Sequence, residues 1–129
     1  MAGFNWNQFY TLFKAKMGDS CTVGRYTIPK LPTYPYCDIA LLDNSGGNYD
    51  LQGHESSLTP LITITVYDNN YGDARCYEVS MKAKELMLSY GFQCRTGPVK
   101  IDNTDPAVAR WVARYQRIFG SGDELRKLR

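Results

Sequence analysis

The sequence contains a single histidine, His54, and four cysteines, no two of which are close neighbours. Zinc sites normally take paired ligands from one short turn, as in C-x-x-C, so this spacing argues against a metal site. The nucleotide-binding, hydrolase and metalloprotease patterns G-x-x-x-x-G-K-[ST], G-x-S-x-G and H-E-x-x-H are also missing. A pairing of Cys21 with His54, or of Asp102 with Asp105, would be an isolated coincidence between polar loops. We therefore predict no enzymatic activity, no cofactor and no metal.

Long apolar stretches are absent as well. No run approaches the roughly twenty apolar residues that a membrane-spanning helix needs. The start, Met1–Trp6, lacks the basic and apolar regions of a signal peptide. We expect no membrane partner and folding in a cytoplasm. Since no change in composition divides the chain, we predict one domain over residues 1–119, followed by a flexible basic tail over residues 120–129.

A large charge of one sign is missing too, because the net charge is only +2. Residues 1–105 hold nine basic and eleven acidic groups, whereas residues 106–129 hold six basic and two acidic groups. A near-neutral total argues against sequence-independent binding of nucleic acid. A basic cluster of this size more often meets water or protein. The ten tyrosines and two tryptophans suit protein interfaces, since such side chains combine a large apolar face with a polar group.

What the chain does contain is a clear strand followed by a clear helix. Ile62, Ile64 and Val66 alternate with Thr or Tyr, the two-residue period of a strand with one buried face. After the polar loop Asp68–Gly72 the period becomes that of a helix, which Gly91 closes. The apolar positions of this helix are Cys76, Val79, Ala83, Leu86, Met87 and Tyr90.

The first half of the chain predicts another helix and a hairpin. The helix spans Trp6–Met17, since its apolar residues recur at helical spacing between a capping Asn5 and Gly18. Residues 18–35 are rich in glycine and proline, which indicates an irregular connection. The remaining segments are a strand over Tyr36–Leu42, a turn at Asn44–Gly47, an antiparallel return over Asn48–Gln52 and a mobile polar loop over Gly53–Thr59.

The segment after the second helix is less regular. Its first part predicts a strand interrupted by a bend at Thr96–Pro98, and Asp105 followed by Pro106 is typical of a helix start. Residues 110–119 fit two structures. Helical periodicity places the large apolar side chains on one arc with the arginines opposite, whereas a strand would give a poorer division of the same side chains between two faces.

The order of these elements resembles the small tail terminator, or tail completion, proteins of long-tailed bacteriophages, often described as minor capsid proteins. The similarity covers most of residues 5–119 and depends on the order and spacing of motifs that are not specific alone. The residues that carry it are Tyr34-Pro35-Tyr36 at the first strand, Ile62–Asp68 before the helix that contains Ala83, and Asp105-Pro106 before Arg110–Arg117.

The resemblance also decides the ambiguous segment. In this family the final segment is a strand after one helical turn, which implies a short helix at Asp105–Ala109 and a strand over Arg110–Phe119 paired with Val99–Ile101. The fold predicted in this way is α+β, with a mixed, largely antiparallel sheet of four to five strands and two main helices packed on one face.

The function that the resemblance implies is structural. Family members form a hexameric ring on the last ring of tail tube subunits, stop tube growth and present the surface that joins the tail to the head. The implied partners are further copies of the chain, the tail tube protein and a head-tail connector or stopper protein, while DNA passes through without specific binding. The implied location is the tail or neck of the virion, assembled in the host cytoplasm.

The resemblance also indicates where contacts should lie. Docking loops are expected at Asn44–Asp50 and Gly53–Thr59, and the arginines of the last strand should pair with acids across the subunit seam. The predicted interface residues are Tyr49, His54, Arg110, Trp111, Arg114 and Arg117. Two alternatives remain, a nucleic-acid-binding module that uses the basic aromatic segment 110–117 and another neck or connector component.

Overall fold

A computed structural model describes residues 5–18, 20–25, 34–47, 57–69, 73–102 and 107–120. These residues form two helices and a mixed sheet, which confirms the predicted α+β class. The elements are α1 (Trp6–Met17), β1 (Thr22–Arg25), β2 (Tyr36–Gly47), β3 (Ser57–Asp68), α2 (Ala74–Ser89), β4 (Gln93–Ile101), β5 (Ala109–Gln116) and β6 (Phe119–Gly120).

The sheet has the strand order β1-β2-β3-β5-β4, and the short β6 pairs with β3. Among the described strands, β1 and β2 run parallel, and every other neighbouring pair is antiparallel. The long strand β3 therefore lies at the centre of the sheet, and β4 forms one of its edges.

The first helix has the predicted bounds because its two ends are encoded locally. The side chain of Asn5 accepts a hydrogen bond from the Gln8 backbone N–H at 3.0 Å, which satisfies one of the unpaired donors of the first turn. Phe9, Phe13 and Met17 are buried, so the apolar stripe of α1 faces the protein interior.

One hydrophobic core joins both helices to the sheet. The even-numbered residues of β3, Ile62, Ile64 and Val66, are buried together with the predicted apolar stripe of α2 and with Phe9 and Phe13 of α1. The strand and helix periods that the sequence predicts at residues 61–90 are thus confirmed. That both helices cover a single face of the sheet stays a prediction.

The bend predicted in β4 is also confirmed. Gly97 has a φ of +80°, and the register of β4 against β5 shifts on both sides of Thr96. A left-handed backbone conformation of this kind favours glycine, because it has no Cβ.

Three expectations for the first half of the chain need correction. Residues 22–25 are not irregular but form β1, which a neighbouring parallel strand stabilises rather than any local pattern. The segment Asn44–Gly47 is not a turn, since it continues β2 and pairs with Ser57–Pro60 of β3. Residues 57–59 are accordingly strand rather than loop. The predicted return strand over Asn48–Gln52 lies outside the described residues.

The C-terminal segment is a strand, as the resemblance implied and against its helical periodicity. Strand β5 pairs with β3 along its whole length and with Val99–Ile101 of β4. The strand ends at Gln116 instead of Phe119, and β6 resumes the pairing with β3. Ala107 and Val108 form a turn and a bend rather than helix, while residues 103–106 and 121–129 lie outside the described part.

Candidate interaction surface

The predicted interface residues that the structure describes do not form one surface. Tyr49 and His54 lie outside the described residues. Arg110, Trp111 and Arg114 belong to β5, where successive side chains point to opposite faces of the sheet. The structure therefore separates residues that the sequence places side by side.

The two faces of β5 differ sharply in character. Trp111 and Tyr115 lie opposite Val66 and Ile62 of β3, on the face that forms the core, and Tyr115 has no exposed surface. Arg110 and Arg114 lie opposite Tyr67 and Thr63 on the other face. The aromatic and basic side chains of residues 110–117 are thus presented in opposite directions.

Arg117 follows β5 and caps the second helix. Its Nη1 donates a hydrogen bond of 2.6 Å to the backbone carbonyl of Tyr90, immediately after α2. The carbonyls at the end of a helix lack partners within the helix and carry a partial negative charge, so a guanidinium there stabilises the helix end. Arg117 holds a structural position and is only partly exposed.

Trp111 lies at the centre of a cluster near the edge of the sheet. Its ring meets that of Tyr77 edge to face, with centroids 5.5 Å apart, and its Nε1 donates to Asp73 Oδ1 at 3.5 Å. Lys100 Nζ lies 3.0 Å from Asp73 Oδ2. We call Asp73, Tyr77, Lys100 and Trp111 the Trp111 cluster. Tyr77 is 46% exposed, so the cluster reaches the protein surface. The neighbouring Val99, 43% exposed, pairs with Val112 and therefore lies on the opposite face of the sheet.

The sequence had indicated only one member of this cluster. Asp73 and Tyr77 come from α2 and Lys100 comes from β4, and their meeting depends on the pairing of Lys100 with Trp111 across the β4–β5 ladder. The spacing of Asp73 and Tyr77, four residues apart at the start of a helix, is the one signal that could have grouped them.

Edge strand β4 is poorly suited to extend the sheet into another chain. Pro98 has no backbone N–H to donate, and the two register shifts interrupt the regular spacing of the strand. Prolines, bulges and an exposed lysine, here Lys100, are devices that prevent pairing between sheet edges. A partner at this edge would therefore be bound through side chains.

An ion pair between a buried carboxylate and a partly exposed arginine, which the sequence did not predict, fixes the start of α2. Asp68, at the end of β3, has no exposed side-chain surface and receives two hydrogen bonds from Arg75, at 2.7 and 2.5 Å. Contact with Asp68 raises the pKa of Arg75. Two parallel N–H···O bonds fix the relative orientation of the two groups.

The four cysteines are free thiols, three buried and Cys94 half-buried. A hydrogen bond between Cys21 and Cys37 lowers the pKa of Cys21 and raises the pKa of Cys37. Burial, together with the nearby Asp68 carboxylate, raises the pKa of Cys76 to about 12. In the described ranges, no three His, Cys, Asp or Glu side chains come together as a metal site would need.

Comparison with known proteins adds no assignment to this geometry. No protein-family model matches the chain, and no curated protein matches its sequence. Within the described part of the chain, neither helix combines the length and apolar character needed to cross a bilayer.

Proposed function

We propose that this chain is a structural protein of a tailed phage that forms a ring, of six copies in the family it resembles, at the head-proximal end of the tail. The ring would stop growth of the tail tube and join the tail to the head. The observation that carries the proposal is the structure of residues 109–116. Helical periodicity favours a helix there, whereas the tail terminator resemblance requires a strand paired with Val99–Ile101, and β5 is that strand.

The surface near the sheet edge supports an interface role. Ring closure needs a heterologous contact, in which one patch of each subunit meets a different patch of the next. The Trp111 cluster offers an aromatic centre bordered by charges, with the kind of aromatic side chain that is enriched at interface cores. Because its polar groups already bind one another, the cluster can meet a partner without leaving a charge unpaired.

Residues Arg110 and Arg114 suit the second patch. They project from the opposite face of β5, so both patches are held by one rigid strand. In a ring, these arginines would pair with acidic groups of the neighbouring subunit, which favours correct orientation during assembly.

The nucleic-acid alternative loses its main support in this arrangement. Binding of single strands combines a basic groove with aromatic side chains on which bases stack. In β5 the aromatic side chains and the arginines lie on opposite faces, so they cannot line one groove, and Tyr115 is fully buried. An alternative role as another neck or connector component would use the same kind of ring contacts, and no feature of the described surface favours it.

The proposal is tested by assembly. Light scattering and negative-stain microscopy should show rings of the 14.7 kDa chain, either alone or when tail tube protein is present. In a tube polymerisation assay, addition of the chain should shorten the tubes and place a ring at one end. The matched control is an unrelated protein of similar mass.

A chain that stays monomeric with and without tube protein, and that leaves tube length unchanged, would overturn the proposal. Rings that bind a head connector but never the tube would instead support the neck-component alternative.

A further inference from the structure

The sheet contains an interruption that creates a depression on its surface. Strand β3 pairs with β5 from Leu61 onward and with β6 at Ser57 and Leu58. Thr59 and Pro60 lie between the two ladders, where the chain passes from β5 to β6. The opening formed by this break lies near the end of α2 and the start of β4.

The depression has a volume of about 450 Å³ and is rich in hydrogen-bond donors. Two guanidinium groups, two carboxamides and one hydroxyl line it, and none of its described lining residues is acidic. A site of this composition favours an anionic group, because arginine donates pairs of hydrogen bonds to carboxylate or phosphate oxygens. Its described lining residues are Thr59, Gly91, Gln93, Arg95, Gln116, Arg117 and Ile118.

The two arginines are held differently. Arg117 is anchored by its hydrogen bond to the Tyr90 carbonyl, which fixes the direction of its guanidinium. Arg95 projects from β4 and is exposed. Because the guanidinium of Arg117 is already oriented, less conformational entropy is lost when an anion binds. Arg95 can adjust its side chain to anions of different geometry.

Ile118 indicates which anion fits. It lines the depression and is 65% exposed, the largest exposed fraction among the large apolar side chains of the described residues. A phosphate backbone would leave this side chain uncovered, and no aromatic ring among the described lining residues is available for base stacking. A protein segment can supply both a carboxylate and an apolar side chain.

We propose that this depression binds an acidic segment of a partner protein, in which carboxylates contact Arg95 and Arg117 and a neighbouring apolar side chain covers Ile118. The proposal does not depend on ring formation, since every described lining residue belongs to one chain.

The test uses the full chain and a fluorescein-labelled peptide with the repeating sequence Glu-Leu-Glu-Leu-Glu. Fluorescence polarisation measures its affinity beside a Gln-Leu-Gln-Leu-Gln peptide and a single-stranded oligonucleotide. Saturable binding of the acidic peptide is expected, with loss in the glutamine version. Arg95→Glu should weaken it at least about tenfold, because it replaces an attractive pair with a repulsive one. Ile118→Ser should weaken it by roughly threefold through loss of apolar contact.

Arg110→Glu is the matched control. Arg110 does not line the depression and lies six residues along β5 from Gln116, about 20 Å away, so its reversal should change peptide affinity by less than about twofold, the effect expected of a screened distant charge. Far-UV circular dichroism and urea midpoints would establish that all three variants are folded.

Three results would overturn the inference. These are absence of saturable peptide binding at about millimolar concentration, equal losses in Arg95→Glu and Arg110→Glu, and tighter binding of the oligonucleotide than of the acidic peptide. None of them bears on ring assembly, so failure here and failure of the tail role are distinguishable.

Discussion

At the scale of single residues, the hydroxyl of Tyr115 is buried in the core and contributes no hydrogen bond among the described residues there. Its side chain is fully buried, and its oxygen has no hydrogen-bond partner within the part of the chain that the structure describes. A buried polar group without a partner costs about 1–3 kcal/mol relative to one that is paired. The aromatic ring, in contrast, fills space opposite Ile62 in the core.

Tyr115→Phe should therefore increase the free energy of unfolding by about 1 kcal/mol. Urea denaturation at neutral pH measures the change. Tyr10→Phe is the control, since the Tyr10 hydroxyl donates to the Val23 carbonyl at 3.4 Å and its removal should give no gain. A loss of stability in Tyr115→Phe would show that the hydroxyl is satisfied in solution.

The same tyrosine makes stability depend on alkaline pH. Burial, together with the nearby Cys94 and Cys37, raises the pKa of Tyr115 above its ordinary value. The unfolded chain then loses the phenolic proton near pH 10, while the folded chain keeps it, so the unfolded state gains stability as the pH rises. This loss of folding stability is absent below about pH 9. It grows from about pH 10 toward the pKa that Tyr115 has in the folded state.

We expect the free energy of unfolding to fall between about pH 9 and about pH 11, and to fall less steeply in Tyr115→Phe. Tyr36, Tyr67 and Tyr90 also have raised pKa values, so the variant keeps part of the decline. Urea midpoints across this range measure both slopes. Identical slopes for the two proteins would contradict the assignment to Tyr115.

At the scale of elements, α2 is fixed to the sheet at both ends by charged groups. Asp68 of β3 holds Arg75 in the first turn, and Arg117 after β5 holds the Tyr90 carbonyl beyond the last turn. The apolar stripe between these points packs into the core. The helix and the strands beside it should consequently move as one body, as the proposed ring would require of its subunits.

The bend in β4 depends on one residue. Gly97 has a φ of +80°, and a Cβ there would overlap the Val112 carbonyl oxygen and lie 2.9 Å from the Val99 nitrogen. The backbone conformation alone costs a non-glycine residue about 1–3 kcal/mol. The overlap with backbone atoms adds to this, since neither side can move without breaking the ladder.

Gly97→Ala should lower the free energy of unfolding by at least about 2 kcal/mol. Thermal and urea unfolding measure the loss. Gly18→Ala is the matched control, because Gly18 has a right-handed φ of −58° and its added Cβ would come no closer than 3.1 Å to the Lys14 carbonyl oxygen. Equal losses in the two variants would show that the left-handed backbone at Gly97 is unimportant.

Elements whose signal is local could be predicted from the sequence, and those that depend on a distant partner could not. Helix α1 carries its own cap and stripe, and β3 with α2 shows a clear change of period. Residues 109–116 fit a helix by periodicity because Val108, Trp111, Val112 and Tyr115 recur at intervals of one, three and four residues, which also places them on one side of a helix. Pairing with β3 and β4 decides the outcome, and the spacing of side chains along one segment does not encode it.

The candidate sites also divide into features that the local sequence indicates and features that depend on distant partners. Trp111 could be chosen from its residue type, but its partners come from α2 and β4, which only the tertiary fold brings together. The depression near Ile118 follows from a gap between two ladders on β3, and no motif in the sequence marks such a gap. The strand β1 likewise depends on its parallel neighbour.

At the scale of the whole molecule, exposed apolar side chains occur near both edges of the described sheet. Val99 lies on edge strand β4, on the face that carries Arg110 and Arg114, while Leu42, 51% exposed, lies on β2, with β5 and β3 between the two strands. Isolated exposed apolar residues are common on any protein, whereas Val99 shares its face with the arginines proposed for the second patch. The proposed ring contact therefore uses the β4 edge.

Val99→Lys should weaken ring assembly, or attachment to tail tubes, at least about tenfold, because burying an unpaired ammonium group in an apolar contact costs more than about 1.4 kcal/mol. The urea midpoint should be unchanged, since Val99 is already 43% exposed in the single chain. Sedimentation or light scattering over a concentration series measures the assembly constant. Leu42→Lys, which adds the same charge at an exposed position away from this edge, should assemble normally. Normal assembly of Val99→Lys, or a defect confined to Leu42→Lys, would remove the β4 edge from the ring contact.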